Sequence, residues 1–288
     1  MASPPASLPD DADVPLTAAE LADICAIVYK HSGMVFTEAK RYYIQRRIAD
    51  LVRSRQAMSV RHYIAMLRGD PAESEFLINS FTVNETYFYR EAHQLTCLSN
   101  SILPSIIRKR GPGDSIRIWS MPCSSGEEPY SIAIWLLENW PLVDAYNVEI
   151  VGSDIDTAIL RQAVDGYFGL RSLSRLSPDL LDRYFEPERD QQRRLIADIR
   201  ESVTFVPGNL VDRRGLGTLG RFDVIFCRNL LIYFDEAARE QAARNIQDWL
   251  NPGGYACLGH TESMSRISET FEAVRFPEAI VYKVAGDR

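Results

Sequence analysis

The spacing of apolar residues divides the chain into two regimes. From Leu16 to about Phe81 they recur at intervals of three and four, the period of a helix with one buried face. Thr17 followed by Glu20 makes a capping-box pattern ahead of LADICAIVYKHSG, and Gly33 supplies the stop. A second helix is predicted over Glu38–Arg55, carrying Tyr43, Ile44, Ile48, Leu51 and Val52 at spacings of three and four, with Ile44, Ile48, Leu51 and Val52 turned inward and arginines such as Arg46 and Arg53 outward. A third over Val60–Leu67 stops at Gly69-Asp70-Pro71, and a fourth runs from about Ala72 to Phe81. No cluster in this region suggests catalysis.

Near Glu91 the pattern changes. Short runs rich in Ile, Val and Phe (IRIWS, VEIVGSD, VTFVPGN, FDVIFCRN and GYACLGH) alternate with helical stretches such as PYSIAIWLLENW, TAILRQAV and Glu236–Leu250. Apolar strands alternating with helices predict a parallel sheet covered on both faces. The charged stretch Gly166–Thr204 breaks the alternation. It is far longer than an ordinary connection of about 2–6 residues. An inserted subdomain of small strands with a helix is predicted there.

Hydrophobic content of 46% and charged content of 25% are ordinary for a globular protein; the distribution of charge is more telling. A net charge of −7 argues against general nucleic-acid binding. Yet between Lys40 and Arg55 stand Lys40, Arg41, Arg46, Arg47, Arg53 and Arg55 against a single acid, Asp50. A basic helix on an acidic protein predicts a specific acidic partner. No apolar run approaches the ~18 residues of a membrane span. The start, MASPPASLPDDADVP, lacks the basic and apolar parts of a secretory signal and reads as a disordered acidic tail. Five scattered cysteines without a CxxC pair predict a reducing cytoplasm and no zinc site.

In open α/β sheets ligands bind beyond the carboxyl ends of the strands, so the residues following each run are the candidates. After IRIWS comes MPCSSGEEPYS, whose small residues let a ligand approach the backbone and a helix N-terminus. GxGxxG is absent, and a capped strand–helix turn would look the same. Asp154 ends VEIVGSD, where a carboxylate can accept from both hydroxyls of a ribose, while Asp156 is better placed to cap the next helix. Asn209 and Leu210 could read an adenine edge and pack its face, or form a simple turn. Arg228 directly follows FDVIFC, a strand apolar but for Asp223, which favours a functional role over a structural salt bridge. In SFTVNETYFYRE, Asn84, Thr86 and Arg90 stand among aromatics. This segment could glue two domains together or lie across the strand ends and close a pocket. His260, after the last run, fits a supporting role better than that of a base.

In this order, NETYFYRE, WSMPCSSGEEPYSIA, SDIDTAIL, GNL and FDVIFCRNLLIYF resemble the CheR family of chemotaxis receptor methyltransferases, from about Leu16 to Val284. The resemblance implies an α/β fold. A Rossmann-like S-adenosylmethionine-dependent methyltransferase domain (84–288) with a small inserted β-subdomain (about 166–204) would follow a small all-helical domain (16–83) and the tail (1–15). It implies S-adenosylmethionine as cofactor, S-adenosylhomocysteine as product, and glutamate side chains of bacterial chemoreceptors as acceptors, forming methyl esters in chemotactic adaptation. By the same resemblance Asn84, Thr86 and Arg90 form a lid over the methionine part, Glu127 lies near the methionyl ammonium, and Asp154 holds the ribose. Asn209 and Leu210 contact adenine, Arg228 and Asn229 line the methionine end, and Tyr233 is the hydroxyl nearest the reacting centre. Arg90 and Tyr233 are the expected catalytic residues. Arg46, Arg47 and Arg53 are the expected contacts to the cytoplasmic helices of the receptor, which would recruit a cytoplasmic enzyme to membrane arrays without membrane insertion. Members that dock on a receptor's C-terminal pentapeptide carry a glycine-containing loop in the subdomain. None stands between Tyr184 and Val203 here, so no such tether is expected. Two other readings are a methyltransferase for a different protein or small-molecule carboxylate, and a cofactor-binding signalling module without turnover. The acidic net charge counts against an RNA substrate.

Overall fold

The computed structural model describes residues 15–212, 216–217 and 219–286; the acidic tail predicted at 1–15 lies, apart from Pro15, outside the described residues. The chain divides into two compact units, Met1–Phe81 and Thr82–Arg288.

The first unit is helical. In α1 (Ala18–Ser32) the Thr17 hydroxyl accepts from the Glu20 amide at 3.2 Å, and the Glu20 carboxylate accepts from the Thr17 amide at 3.0 Å. Both orphan donors at the helix start are thereby satisfied. One 3-10 turn, Glu38–Lys40, leads into α2 (Arg41–Ser54); α3 (Val60–Gly69) and α4 (Pro71–Phe81) follow. Ile24, Val28, Ile44, Ile48 and Leu77 are fully enclosed. Leu51 is buried with them, but Val52 is only half-buried. At about 100° per residue it comes round to the edge of the apolar stripe.

The basic surplus on α2 is smaller than its composition suggests. The Arg55 guanidinium grips the buried Glu73 carboxylate, with Nε donating to Oε1 at 2.9 Å, and Arg41 pairs with Glu38 at 3.0 Å. Asp50 faces Arg53 at 3.9 Å. Arg46, Arg47 and Arg53 remain exposed, with the Arg47 guanidinium 5.3 Å from the Tyr43 ring centre.

The second unit opens with α5 (Ala92–Cys97), a π turn (Leu98–Ile102) and α6 (Leu103–Ile107). Then come β1 (Ser115–Ser120), α7 (Glu127–Asn139), β2 (Asn147–Asp154) and α8 (Thr157–Asp165). The inserted stretch holds β3 (Tyr167–Gly169), α9 (Leu170–Leu173), α10 (Pro178–Tyr184), β4 (Gln192–Arg194) and α11 (Ala197–Glu201). It is richer in helix than the pattern predicts. After it come β5 (Val203–Pro207), β6 (Phe222–Cys227), α12 (Glu236–Trp249), β7 (Leu250–Leu258), β8 (Phe271–Arg275) and β9 (Ile280–Val284).

The sheet has seven strands in the order β5-β2-β1-β6-β7-β9-β8. The first five are parallel, and every residue of β6 is buried, as covering on both faces requires. The prediction of a parallel sheet omits the last two strands, which pair antiparallel beyond β7. FEAVR and IVYKV mix buried with exposed positions, so neither gives the unbroken apolar run that marks the central strands. The winding reverses between β1 and β6, and this switch point places the site.

In the insert, β3 and β4 pair antiparallel, and Arg189 and Gln192 exchange two 2.9 Å backbone bonds. Asp190 (φ 50°) and Gln191 (φ 60°) occupy the left-handed turn positions that Asn-Gly commonly fills. Phe88 of the segment before α5 is fully buried and meets Phe168 and Phe185 edge-on at 4.8 and 5.4 Å. Its aromatic ring therefore fixes the segment within the second unit. Among the described residues no helix is long and apolar enough to cross a membrane.

Candidate active site

A cleft opens at the carboxyl ends of β1 and β6. Val83, Glu85, Thr86, Tyr87 and Arg90 form one wall, the Pro122–Ser124 loop another, and Glu128, Arg228 and Asn229 line it as well. The loop that follows β1 turns into α7 at Gly126, whose φ is 94°. A Cβ there would sit 3.0 Å from the Tyr130 ring and 3.1 Å from Ala163, so both conformation and space favour glycine.

Below the cleft is a buried charge cluster. Arg228, 5% exposed, donates from Nη1 to Glu128 at 2.8 Å and from Nη2 to the Arg90 carbonyl at 2.8 Å, and its Nη2 lies 3.4 Å from Glu91. Ser120 and Gln94 donate to the same two carboxylates. Burial pushes the Glu91 carboxyl up, but Arg228 and His260 together outweigh it and hold it below its ordinary range. His260 meets Glu91 at 2.9 Å through Nδ1, a supporting contact. Arg228 thus lines the cleft and is also the structural ion pair that its sequence position was read against. Two carboxylates meet the guanidinium behind six buried strand residues, which offsets the cost of burying it.

Glu262 holds the loop after β6. Its carboxylate accepts from the amides of Asn229 (2.8 Å), Leu231 (2.8 Å) and Gly259 (2.9 Å). Asn229 is held at φ 59° by this arrangement. The sequence gives no sign of this role. It arises because β6 and β7 are neighbours and their following loops meet.

Thr86, Arg90, Arg228 and Asn229 are brought together around the cleft. Arg90 donates to the Glu85 carbonyl at 2.9 Å, and its guanidinium lies 5.9 Å from the Tyr87 ring centre. The other donors of that guanidinium have no hydrogen-bond partner among the described residues. Asn84 is turned away: its amide donates to Asp156 at 3.0 Å, which also caps α8. Glu127 is turned away too, its oxygens accepting from Ser125 (2.6 Å) and Ser172 (2.7 Å), and burial raises its pKa. The adjacent Glu128 faces the cleft instead. Two glutamates in succession on a helix point about 100° apart, and nothing in GEEP says which one faces the ligand.

Asp154 ends β2 beside the loop and is 3% exposed. Its oxygens accept from the amides of Ser124 (2.8 Å) and Asp156 (3.0 Å), yet burial pushes its pKa up to about 6. Asn209 forms a turn, accepting from the Val211 amide at 3.1 Å. Leu210 is 1% exposed, and its carbonyl accepts from Asn245 at 2.7 Å. Tyr233 ends the 3-10 turn Leu231–Tyr233, half-buried, and does not line this cleft.

Two family signatures match the chain. "CheR methyltransferase, all-alpha domain" covers residues 19–82, and "CheR methyltransferase, SAM binding domain" covers residues 84–280. The chain belongs to the CheR methyltransferase family. Chemotaxis protein methyltransferase 2 of Vibrio cholerae is 47% identical over 256 residues, 88% of each chain. The chemotaxis protein methyltransferase of Vibrio parahaemolyticus is 32% identical over 92% of this chain and 96% of its own. That of Salmonella typhimurium is 33% identical over 89% and 88%. The CheR assignment makes this chain an S-adenosylmethionine-dependent methyltransferase of chemotaxis. The donor set suits that cofactor: a strand-end carboxylate able to accept from hydroxyls, acidic side chains at the start of α7, and a loop of small residues between them.

Proposed function

We propose that the acceptor is a glutamate side chain on the cytoplasmic helices of a bacterial chemoreceptor, and that Arg90 holds its carboxylate. The observation behind this reading is the Arg90 guanidinium, which lines the cleft with donors to spare beside Thr86 and Asn229. When bound, S-adenosylmethionine supplies a methyl group on a sulfonium, a good leaving system. A glutamate carboxylate, with a reference pKa of about 4.3, is ionised at neutral pH and needs no general base. The protein's part is then to align the reacting oxygen and exclude water. A guanidinium binds a carboxylate in its own plane and leaves a lone pair free to react. We assign Asp154 to the ribose, Asn209 and Leu210 to adenine, and Thr86, Arg228 and Asn229 to the methionine end. Glu128 takes the ammonium role read for Glu127, and Tyr233 orients the reacting groups from the loop that Glu262 holds.

The test is transfer of radiolabelled methyl groups to receptor cytoplasmic fragments, released by base as an ester product. In Arg90→Ala, turnover should fall by about 100-fold, the scale of losing one donor to the reacting charge. Affinity for S-adenosylhomocysteine should change by less than about threefold, or ~0.65 kcal/mol. A parallel fall in both would make Arg90 a cofactor ligand only. A fall in neither would remove the lid reading.

Partner recognition, in this proposal, runs through Arg46, Arg47 and Arg53 and not through a tail tether. Charge reversal at Arg46 and Arg53 should raise the receptor KM, most at low salt, where the Debye length exceeds roughly 10 Å. Cofactor affinity should stay put. Deleting the receptor's last five residues should leave KM unaltered, because the Asp190-Gln191 turn lacks the glycine loop. Receptor kinetics insensitive to both salt and charge reversal would reduce the patch to solvated surface. A KM raised by the deletion would restore the tether.

A further inference from the structure

We propose that the second unit carries another ligand site, a cationic cleft at the opposite end of the sheet that takes a small molecule bearing a di- or triphosphate. The cleft encloses 630 Å³ and lies at the amino ends of β6 and β7. Asp223 at its floor lies on β6, and Arg228 at the active site directly follows that strand, five residues on. At about 3.3 Å per residue the two sites are separated by about 16 Å.

Three elements bring charge to it. Arg108, Lys109 and Arg110 follow α6, Lys283 comes from β9, and Asp223 of β6 is the one carboxylate among the described lining residues. Asp223 is 3% exposed and fully engaged. It accepts from Arg110 with both oxygens, from the Arg117 amide at 2.9 Å and from Asn251 at 2.7 Å. Its charge is spent on Arg110, so it does not oppose an incoming anion. Arg108 and Lys283 form no ion pair among the described residues, and Lys283 lies 4.2 Å from the Tyr255 ring centre.

The backbone leaves room for the ligand. Between Phe222↔Leu250 and Val224↔Tyr255 the register advances two residues on β6 and five on β7, so three extra residues of β7 bulge outward. Gly253 sits on that bulge, and a Cβ there, or at Gly286, would meet nothing within 4 Å. At Gly254 a Cβ would lie 2.9 Å from the Asn251 carbonyl and 3.0 Å from that of Asp223, so no side chain fits. Ile106 and Pro252 offer an apolar wall for an organic group. Convergent cations, exposed glycine backbone and one apolar wall suit a compact polyphosphate ester better than an extended polyanion, because the charge is confined to a concavity.

Titration calorimetry of the full chain with sodium tripolyphosphate and with ADP tests this, at about 0.15 M salt and with saturating S-adenosylhomocysteine. One site per chain is expected, bound at least tenfold more weakly by Arg108→Ser/Lys283→Ser and equally well by Arg46→Glu/Arg53→Glu. Arg108→Glu alone, at an exposed position, should show the same loss if the double variant folds poorly. Absence of binding overturns the proposal. So does loss in the α2 variant instead of the cleft variants, or competition with S-adenosylhomocysteine. Binding of single-stranded RNA or an acidic peptide through Arg108 and Lys283, with neither phosphate probe bound, would overturn the ligand class.

Discussion

Replacing Arg228 with methionine is expected to destabilise the second unit by about 3–5 kcal/mol, the cost of breaking one side of a buried ion pair. The Arg228 side chain is 4% exposed, and those of its partners Glu91 and Glu128 are 12% and 13% exposed. Methionine fills most of the space but leaves both carboxylates facing a wall that no longer carries a cation. The Arg90 carbonyl loses its donor as well, and with it the tie between the Val83–Glu91 segment and the end of β6. Urea unfolding followed by tryptophan fluorescence isolates the effect, since Trp119, Trp135, Trp140 and Trp249 all lie in the second unit. Adding Glu128→Gln to Arg228→Met should recover part of the loss, because one orphaned charge is then gone. Cofactor affinity should stay impaired in both variants, since Glu128 loses its anchor in the first and its charge in the second. A loss below about 1 kcal/mol would place the carboxylates in water and make the cluster equivalent to a surface pair.

The sequence is informative wherever one residue's role follows from its own strand or helix. The Thr17 cap, the Asp156 cap, the buried β6 and the parallel core can each be read from neighbours along the chain. Legibility ends where two distant segments meet. Glu262 organises the loop after β6 only because β7 lies beside it, and Glu91 reaches Arg228 across 137 positions. The choice between Glu127 and Glu128 depends on how α7 is rotated, which Ser172 of the insert helps to fix. Arg55 reads as part of the basic surface because spacing alone does not pair it with Glu73, eighteen residues away. The terminal antiparallel strands stayed hidden for a different reason: their half-exposed pattern resembles a surface loop.

Cofactor affinity should depend on pH through Asp154. Burial raises its carboxyl to about 6 despite the amides of Ser124, Ile155 and Asp156, so in the free protein the charged form is disfavoured. A raised native pKa means that this group's contribution to stability is fully present below the unfolded value of about 3.9 and is lost as pH rises through 6. At neutral pH the ionised side chain costs about 3 kcal/mol, two units or so at 1.36 kcal/mol each. Two ribose hydroxyls donating to the carboxylate would offset that cost, since only the ionised form accepts from both without presenting a donor of its own. The affinity for S-adenosylhomocysteine is therefore expected to be level above about pH 7 and to weaken towards tenfold per unit below 6, with proton release on binding in that range. Asp154→Ala should bind at least about 100-fold more weakly at pH 7.5, the value of two hydrogen bonds to a charged acceptor at roughly 1.5 kcal/mol each. It should also lose the acid limb of the profile. Calorimetry at pH 5, 6 and 7.5 on both proteins decides the matter. Unchanged affinity in the variant would take the ribose away from Asp154, and a profile equally steep in both would assign the titration to another group.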